Sequence, residues 1–431
     1  MKNRRIFCLV LSLLCPFFML CQNVTITGST NVPDALVRLL AYDDMMTRRQ
    51  TQLVETHADK DGNFVLKAVV NEITPVDIAI GLERVDLIIC PNATYDIRIN
   101  VSEMDEEASY FETEPPTMYI NTIDDGGFYA QYLQSADIVD QFIYENIDRI
   151  LRERNLKLLD DVDSQIKEQL GEIKFKYVND LVKYSKASVM LAVNKKKVLA
   201  ECFDNHEVLY LHPTYMMVFH DVFQNDIKDN DFLSRNPQLA EFIRLYKIKN
   251  SFESNLCDKQ TTLKVIDDIL KTSKYQKNKD VATSIAKMVN DMTYDSDAPY
   301  FSLKDKNGKT VQLTDYQNGM VLLQFVDRYT PLNGHEFPEL NELHKQWNDT
   351  VQIVTIATAE TFQKYVQLFD SKGYKWPLLN LGDNILLIEK YHVRMFPAYV
   401  ILKKKGRVGM SPAPSPDHEL DKHVRRISKY L

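Results

Sequence analysis

Cysteine, glycine and long apolar runs are scarce in this sequence, and each shortage closes off a class of protein. Of six cysteines, Cys8, Cys15 and Cys21 lie in the first 21 residues, which leaves Cys90, Cys202 and Cys257 far apart in the rest. Three separated cysteines give neither a disulfide framework nor zinc-ligand spacing, and at most one internal bridge can form. Cys202 and Cys257 are one pair that the spacing allows. No run after the N-terminus approaches the roughly 20 apolar residues of a bilayer-spanning helix. Basic residues are in no excess either, with 52 Lys and Arg against 60 Asp and Glu and a net charge of -8. Their even spread excludes a nucleic-acid footprint.

What is present begins with a targeting pattern. Lys2, Arg4 and Arg5 precede an apolar stretch from Ile6 to Leu20, too short to span a bilayer and suited to a secretory signal. The expectation is a signal peptide over 1–21, cleavage after Cys21, and an exported chain, not transmembrane after cleavage. A lipid anchor on Cys21 is the less favoured alternative, because Leu20 stands where that processing prefers a small side chain.

A length of 431 residues calls for several cores, and punctuation divides the chain in three. Over 22–105, short alternating runs such as "NVTITG", "NFVLKAVV" and "YDIRINV", separated by turn residues, predict a small antiparallel β-sandwich. The turn "DKDGN", Asp59 to Asn63, reads as an Asp-Gly hairpin, since the twelve-residue calcium loop with its final Glu is absent. Between Phe128 and Asn307 the single glycine is Gly171, so 106–290 is expected to be an all-α linker domain. Apolar residues at Ile138, Phe142, Ile147, Ile150 and Leu151 fit one buried helical stripe. His206, His212 and His220 lack a His-x-x-x-His step and read as packed or exposed histidines with no metal between them. No cofactor motif occurs. Over 291–431 the texture is α/β: "MVLLQFV", "VQIVTIA" and "AYVILKKK" are strands, and a last helix is expected to open with Ser415 as N-cap and Pro416 at its first position.

The order "APYFSLKDKNGKTVQLTDYQNGMVLLQFV", a turn, "HEFPEL", "VQIVTIA" and "RMFPAYVIL" resembles the thioredoxin-like domains of the alkyl hydroperoxide reductase and thiol-specific antioxidant superfamily. Within it, the similarity is to envelope thiol-disulfide oxidoreductases of the cytochrome c maturation type. The resemblance implies a thioredoxin fold and a Cys-x-x-Cys where the first strand turns into its helix. Counted back from Pro338 to Leu340, those positions hold Thr330, Pro331, Leu332 and Asn333. A thiolate at a helix start attacks a disulfide and is displaced by the second cysteine; a hydroxyl and an amide can do neither. The peroxidatic Pro-x-x-x-Thr-x-x-Cys pattern fails as well, with Val326 and Asn333 at its proline and cysteine.

Phe396 and Pro397 match the family's cis-proline loop, which implies a groove between Thr330 to Asn333 and this loop. Tyr329 and Phe396 would line it, and an extended peptide or an envelope protein would bind there by strand-like pairing. Alternatively, Pro397 only shapes the entry to "AYVILKKK". Phe337, Leu340, Leu343 and Trp347 have the spacing of one buried helix face. His335 and Glu336, adjacent and therefore pointing apart, read as a solvated helix start. Three functions remain: a non-catalytic binding module, the expectation adopted; a thiol-disulfide or peroxide-detoxifying enzyme using Cys90, Cys202 or Cys257; and a structural spacer.

Overall fold

The computed structural model describes residues 22–102, 115–225, 229–327, 336–347, 350–382 and 384–429. The front of the chain forms β1 (Val24–Thr30), β2 (Leu36–Tyr42), β3 (Gln50–His57), β4 (Asn63–Ala68), β5 (Thr74–Ile80), β6 (Glu83–Ile89), β7 (Thr94–Asn100) and β8 (Thr117–Asp124). They make two four-stranded sheets, ordered β4-β1-β7-β8 and β3-β2-β5-β6. Alternation sets the inner face: Phe64, Leu66 and Ala68 of β4 and Tyr95, Ile97 and Ile99 of β7 meet Val37, Leu39, Val76 and Ile78 in one core. Strand β8 falls inside the stretch expected to be helical. It pairs antiparallel with β7, and helices begin only at Phe128.

The Asp59 to Asn63 turn is not a hairpin. Strands β3 and β4 belong to different sheets, so this turn carries the chain from one sheet to the other. An Asp side chain organises it: the Asp59 carboxylate accepts the backbone N–H groups of Asp61 at 2.9 Å and Asn63 at 2.8 Å, an Asx-type closure. Gly62 has φ +82, and a Cβ there would lie 2.0 Å from the backbone oxygen of Thr30.

The middle comprises α1 (Phe128–Leu151), α2 (Leu158–Leu170), α3 (Lys176–Val193), α4 (Lys195–Val198), α5 (Pro213–Phe223), α6 (Asn230–Arg235), α7 (Pro237–Glu253), α8 (Lys259–Thr272) and α9 (Gln276–Asn290). Its largest core gathers Tyr184, Phe203, Tyr215, Phe219, Phe223 and Phe242. Met45 and Met46, from the β2–β3 loop of the front sheets, sit in the same core. Asp44 holds that loop by accepting the Thr47 N–H at 2.6 Å and its hydroxyl at 2.7 Å. The three histidines stay separate. His206 is beside Lys183, buried His212 faces the Tyr177 carbonyl at 3.1 Å, and His220 meets the Tyr246 hydroxyl at 2.6 Å.

The last third contains β9 (Ser302–Asp305), β10 (Thr310–Gln312), β11 (Met320–Val326), α10 (Glu336–Trp347), β12 (Val351–Ala357), α11 (Phe362–Lys372), β13 (Leu378–Asn380), α12 (Leu386–Lys390), β14 (Ala398–Lys403), β15 (Arg407–Ala413) and α13 (Leu420–Ser428). One seven-stranded sheet results, ordered β10-β9-β13-β12-β11-β14-β15, with β11 and β12 parallel and β14 antiparallel to β11. Central β11 is buried along its whole length, because α10, α11 and α13 cover one face while α12 packs on the other. The terminal helix starts at Leu420, later than Ser415–Pro416. Glu419 has φ 64, a left-handed conformation that cannot continue a helix, and the Ser415 hydroxyl is engaged by Asp417 at 2.5 Å and His418 at 3.0 Å.

Gly62→Ala is expected to destabilise the front sheets by more than the about 1–3 kcal/mol of a left-handed non-glycine residue, since the obstructing atom is backbone; urea unfolding of the variant measures it.

Candidate functional site

The candidate site lies where β11 and β12 end and β14 begins. Phe325 pairs with Ala398, which places Pro397 beside the last residue of β11. The Phe396–Pro397 bond is cis, as is Ser411–Pro412. Both loop residues are half-buried, and Phe396 packs onto the core formed by Leu387, Ile388 and Tyr391. Tyr329, Thr330, Pro331, Leu332, Asn333 and His335 lie outside the described residues, so one wall of the expected groove can be described and the other cannot.

Behind that edge runs a chain of buried polar groups. Gln324 of β11 stands directly between Thr355 of β12 and Tyr399 of β14 in register. The Thr355 hydroxyl donates to Gln324 Oε1 at 2.7 Å, and Gln324 Nε2 donates to the Tyr399 hydroxyl at 3.0 Å. That hydroxyl donates to Glu336 Oε2 at 2.7 Å, and Trp376 Nε1 donates to Thr355 at 2.9 Å. Burial, reinforced by the adjacent Glu336 carboxylate, pushes the Tyr399 phenol well above its ordinary value, so the phenol keeps its proton and acts as the donor.

Glu336 is thus not a solvated helix start; it is only 9% exposed. The sequence carries a signal for it: Glu336, Leu340, Leu343 and Trp347 recur at the spacing of one helix face, the face that the last three mark as core. Phe337, Leu340 and Trp347 are indeed buried, with Leu343 packed against them. A second polar group closes the end of β12. Thr358, buried, donates to Asp327 Oδ1 at 2.5 Å and lies 2.8 Å from the Thr361 hydroxyl.

The cysteines stand apart from this edge and from one another. Cys90, Cys202 and Cys257 are all unbridged, so no Cys202–Cys257 disulfide is present. Cys90 and Cys202 are buried. Burial, with the charge of Asp125, pushes the Cys90 thiol up to about 12, and burial raises Cys202 too. Both are therefore protonated thiols at neutral pH, poor nucleophiles. Cys257, half-exposed, accepts the Thr262 hydroxyl at 3.4 Å. Among the described residues no group of His, Cys, Asp and Glu is arranged to hold a metal, and no helix is long and apolar enough to cross a membrane.

Residues 295–410 match the AhpC/TSA family, and this part of the chain is a thioredoxin-like domain of that family. Among its relatives, the thiol-disulfide oxidoreductase ResA of Bacillus subtilis (strain 168) is 28% identical over 114 residues, 26% of this chain and 63% of ResA. The thioredoxin-like protein YneN of the same organism is 31% identical over 112 residues, 25% of this chain and 65% of YneN. The chain thus spans just under two thirds of the length of both. Among solved structures, the thioredoxin domain of a thiol-disulfide oxidoreductase from Bacteroides vulgatus is matched over 98% of its length and 31% of this chain, with 18% identity and a TM-score of 0.28.

Tyr399→Phe removes a bond from two buried groups at once, and a loss of about 1–3 kcal/mol is expected in urea unfolding. In the folded protein, iodoacetamide at neutral pH is expected to alkylate Cys257 first and to spare Cys90 and Cys202 until denaturant is added, as peptide mass spectrometry would read.

Proposed function

We propose that this is an exported cell-envelope protein whose thioredoxin-like domain is retained as a peptide- or protein-binding frame without thiol chemistry. One observation carries the reading: the positions where relatives would bear their two cysteines hold Thr330 and Asn333, in a domain whose surrounding frame matches the family. Neither side chain forms or resolves a mixed disulfide. Buried, protonated Cys90 and Cys202 in other parts of the chain support it, since they offer no substitute nucleophile.

In this reading residues 1–21 are a signal peptide and the mature protein resides in the periplasm or on the envelope of a Gram-negative cell. The two front sheets act as a β-sandwich, the helices as a linker domain, and the boundary between them falls after β8. The bound partner is an extended segment lying between Tyr329 to Asn333 and Phe396 to Pro397, paired through backbone groups and gripped by the two aromatic rings.

A second reading is favoured by the names of the relatives: a thiol-disulfide oxidoreductase, or a peroxide-detoxifying protein, working through a cysteine outside the turn. Half-exposed Cys257 is the residue it would need.

Insulin-disulfide reduction with dithiothreitol separates the two. The natural mature protein is expected to be inactive, and the Thr330→Cys, Asn333→Cys double variant to gain activity. Activity in the natural protein that disappears in Cys257→Ser would overturn the binding reading. An inactive double variant would mean that the frame around the turn no longer supports thiol exchange. For binding itself, Phe396→Ala is expected to weaken capture of unfolded, extended polypeptide by about tenfold, the scale of losing one aromatic contact at a groove.

A further inference from the structure

Glu389, on the short helix α12, is held by two arginines from another part of the chain. Arg38 of β2 donates Nη1 to Glu389 Oε2 at 2.8 Å and Nη2 to Oε1 at 2.7 Å, the parallel two-point geometry that makes an arginine–carboxylate pair strong. Arg84 of β6 adds a third bond to Oε1 at 2.6 Å. The arginines are themselves placed by the front sheets. Arg38 Nη2 reaches the Gly81 carbonyl at 3.3 Å, and Arg84 Nη1 reaches Gln50 Oε1 at 2.6 Å, while Gln50 donates to Asp77 at 2.7 Å. Burial works against the ionised Glu389, but the hydrogen bonds and charge of Arg38, and then of Arg84, outweigh it and hold the carboxyl below its ordinary value.

The contact has an apolar half. The turn between β5 and β6 presents Leu82 to the core that contains Leu387, Ile388 and Tyr391 of the thioredoxin-like domain. A methyl group added to Gly81 would sit 3.7 Å from Ile385 Cδ1, so the turn rests close against the start of α12. That same core carries Val393 and Phe396, and the backbone N–H of Val393 donates to Ile388 at 3.0 Å. Three residues lie between Val393 and Pro397, so α12 is the last regular element before the loop at the candidate site.

We propose that the front sheets are a positioning element of the thioredoxin-like domain: through Glu389 and Leu82 they fix α12 and, through α12, the Phe396–Pro397 loop. The loop is then set by contacts made on a different domain, and Glu389 is the residue through which the setting passes. This holds whether or not the groove binds a peptide. Other ties reach the segment, among them the Tyr391 hydroxyl on the Pro299 carbonyl at 2.6 Å and His392 beside Asp291 at 3.2 Å, and they make the competing explanation.

Hydrogen exchange followed by mass spectrometry on the full mature chain tests it, comparing the natural protein with Glu389→Gln, which keeps the shape and removes the charge. Exchange in peptides from 386 to 397 is expected to quicken by about tenfold, with strands β11 and β12 unchanged. Unchanged exchange over 386–397 would overturn the proposal and leave the loop to Pro299 and Asp291. A uniform rise through all strands would overturn it too, as global destabilisation. Should Glu389→Gln fail to fold, Arg84→Met keeps the Arg38 pair in place; a smaller rise confined to the same segment is expected, and none would again overturn the proposal. Insulin reduction by the Thr330→Cys, Asn333→Cys variant, with and without Glu389→Gln, keeps this outcome apart from the binding reading.

Discussion

A guanidinium removed from water must meet a carboxylate, and Arg38, whose side chain is 1% exposed, finds its own on the other side of a domain boundary. An isolated buried charge costs several kcal/mol, so the pair cannot be parted without admitting water or leaving an ion stranded. Glu389 is the more exposed member and also serves Arg84. Water-facing Glu389 therefore acts as the accessible end of a bond whose other end is sealed in the front sheets. With Met45 and Met46 inserted into the helical core, those sheets are joined to both of the other regions, each time by apolar side chains together with an ion pair: Leu82 and Arg38–Glu389 on one side, the two methionines and Lys277–Glu72 on the other. The three parts are coupled by chemistry that no one of them contains.

The thioredoxin-like domain is held by a different device, a polar row across an otherwise apolar sheet. Thr355, Gln324 and Tyr399 face one another on three adjacent strands, and Trp376 and Glu336 close the two ends. Every link pairs a buried donor with a buried acceptor, which is the condition under which polar groups fix a unique arrangement instead of weakening a core. Glu336 is the first described residue of α10, so the row ties that helix to the strand that follows the proline loop. These elements are thereby joined by bonds that do not involve sulfur.

Much of this was legible in the chain. Period-two runs marked the front strands, sparse glycine marked the helices, and the ordered landmarks from "APYFSL" to "RMFPAYVIL" marked the thioredoxin-like domain. The misreadings share one cause, which is that local pattern carries no information about partners distant in sequence. Asp59 to Asn63 has the residues of a hairpin turn, yet the strands it joins pair with β2 and β1. Thr117–Asp124 alternates weakly, with both faces partly exposed, because it is an edge strand completed by β7. Glu336 reads as solvated because it neighbours His335 at a helix start, whereas in the fold the Tyr399 hydroxyl reaches its carboxylate from a strand 63 positions away.

The sequence by itself determined where most strands and helices form, which faces are apolar, which family the last third resembles, and that Thr330 and Asn333 stand where that resemblance implies two cysteines. These follow from side-chain chemistry and spacing along one short segment at a time. Only the tertiary structure decided which polar groups are buried and with whom: Arg38 with Glu389, 351 positions apart, and Gln324 with Tyr399, 75 apart. The physical reason is that burial of a charge or an amide is tolerated only where a partner arrives at hydrogen-bond distance, and the arrival of that partner is a property of the whole fold.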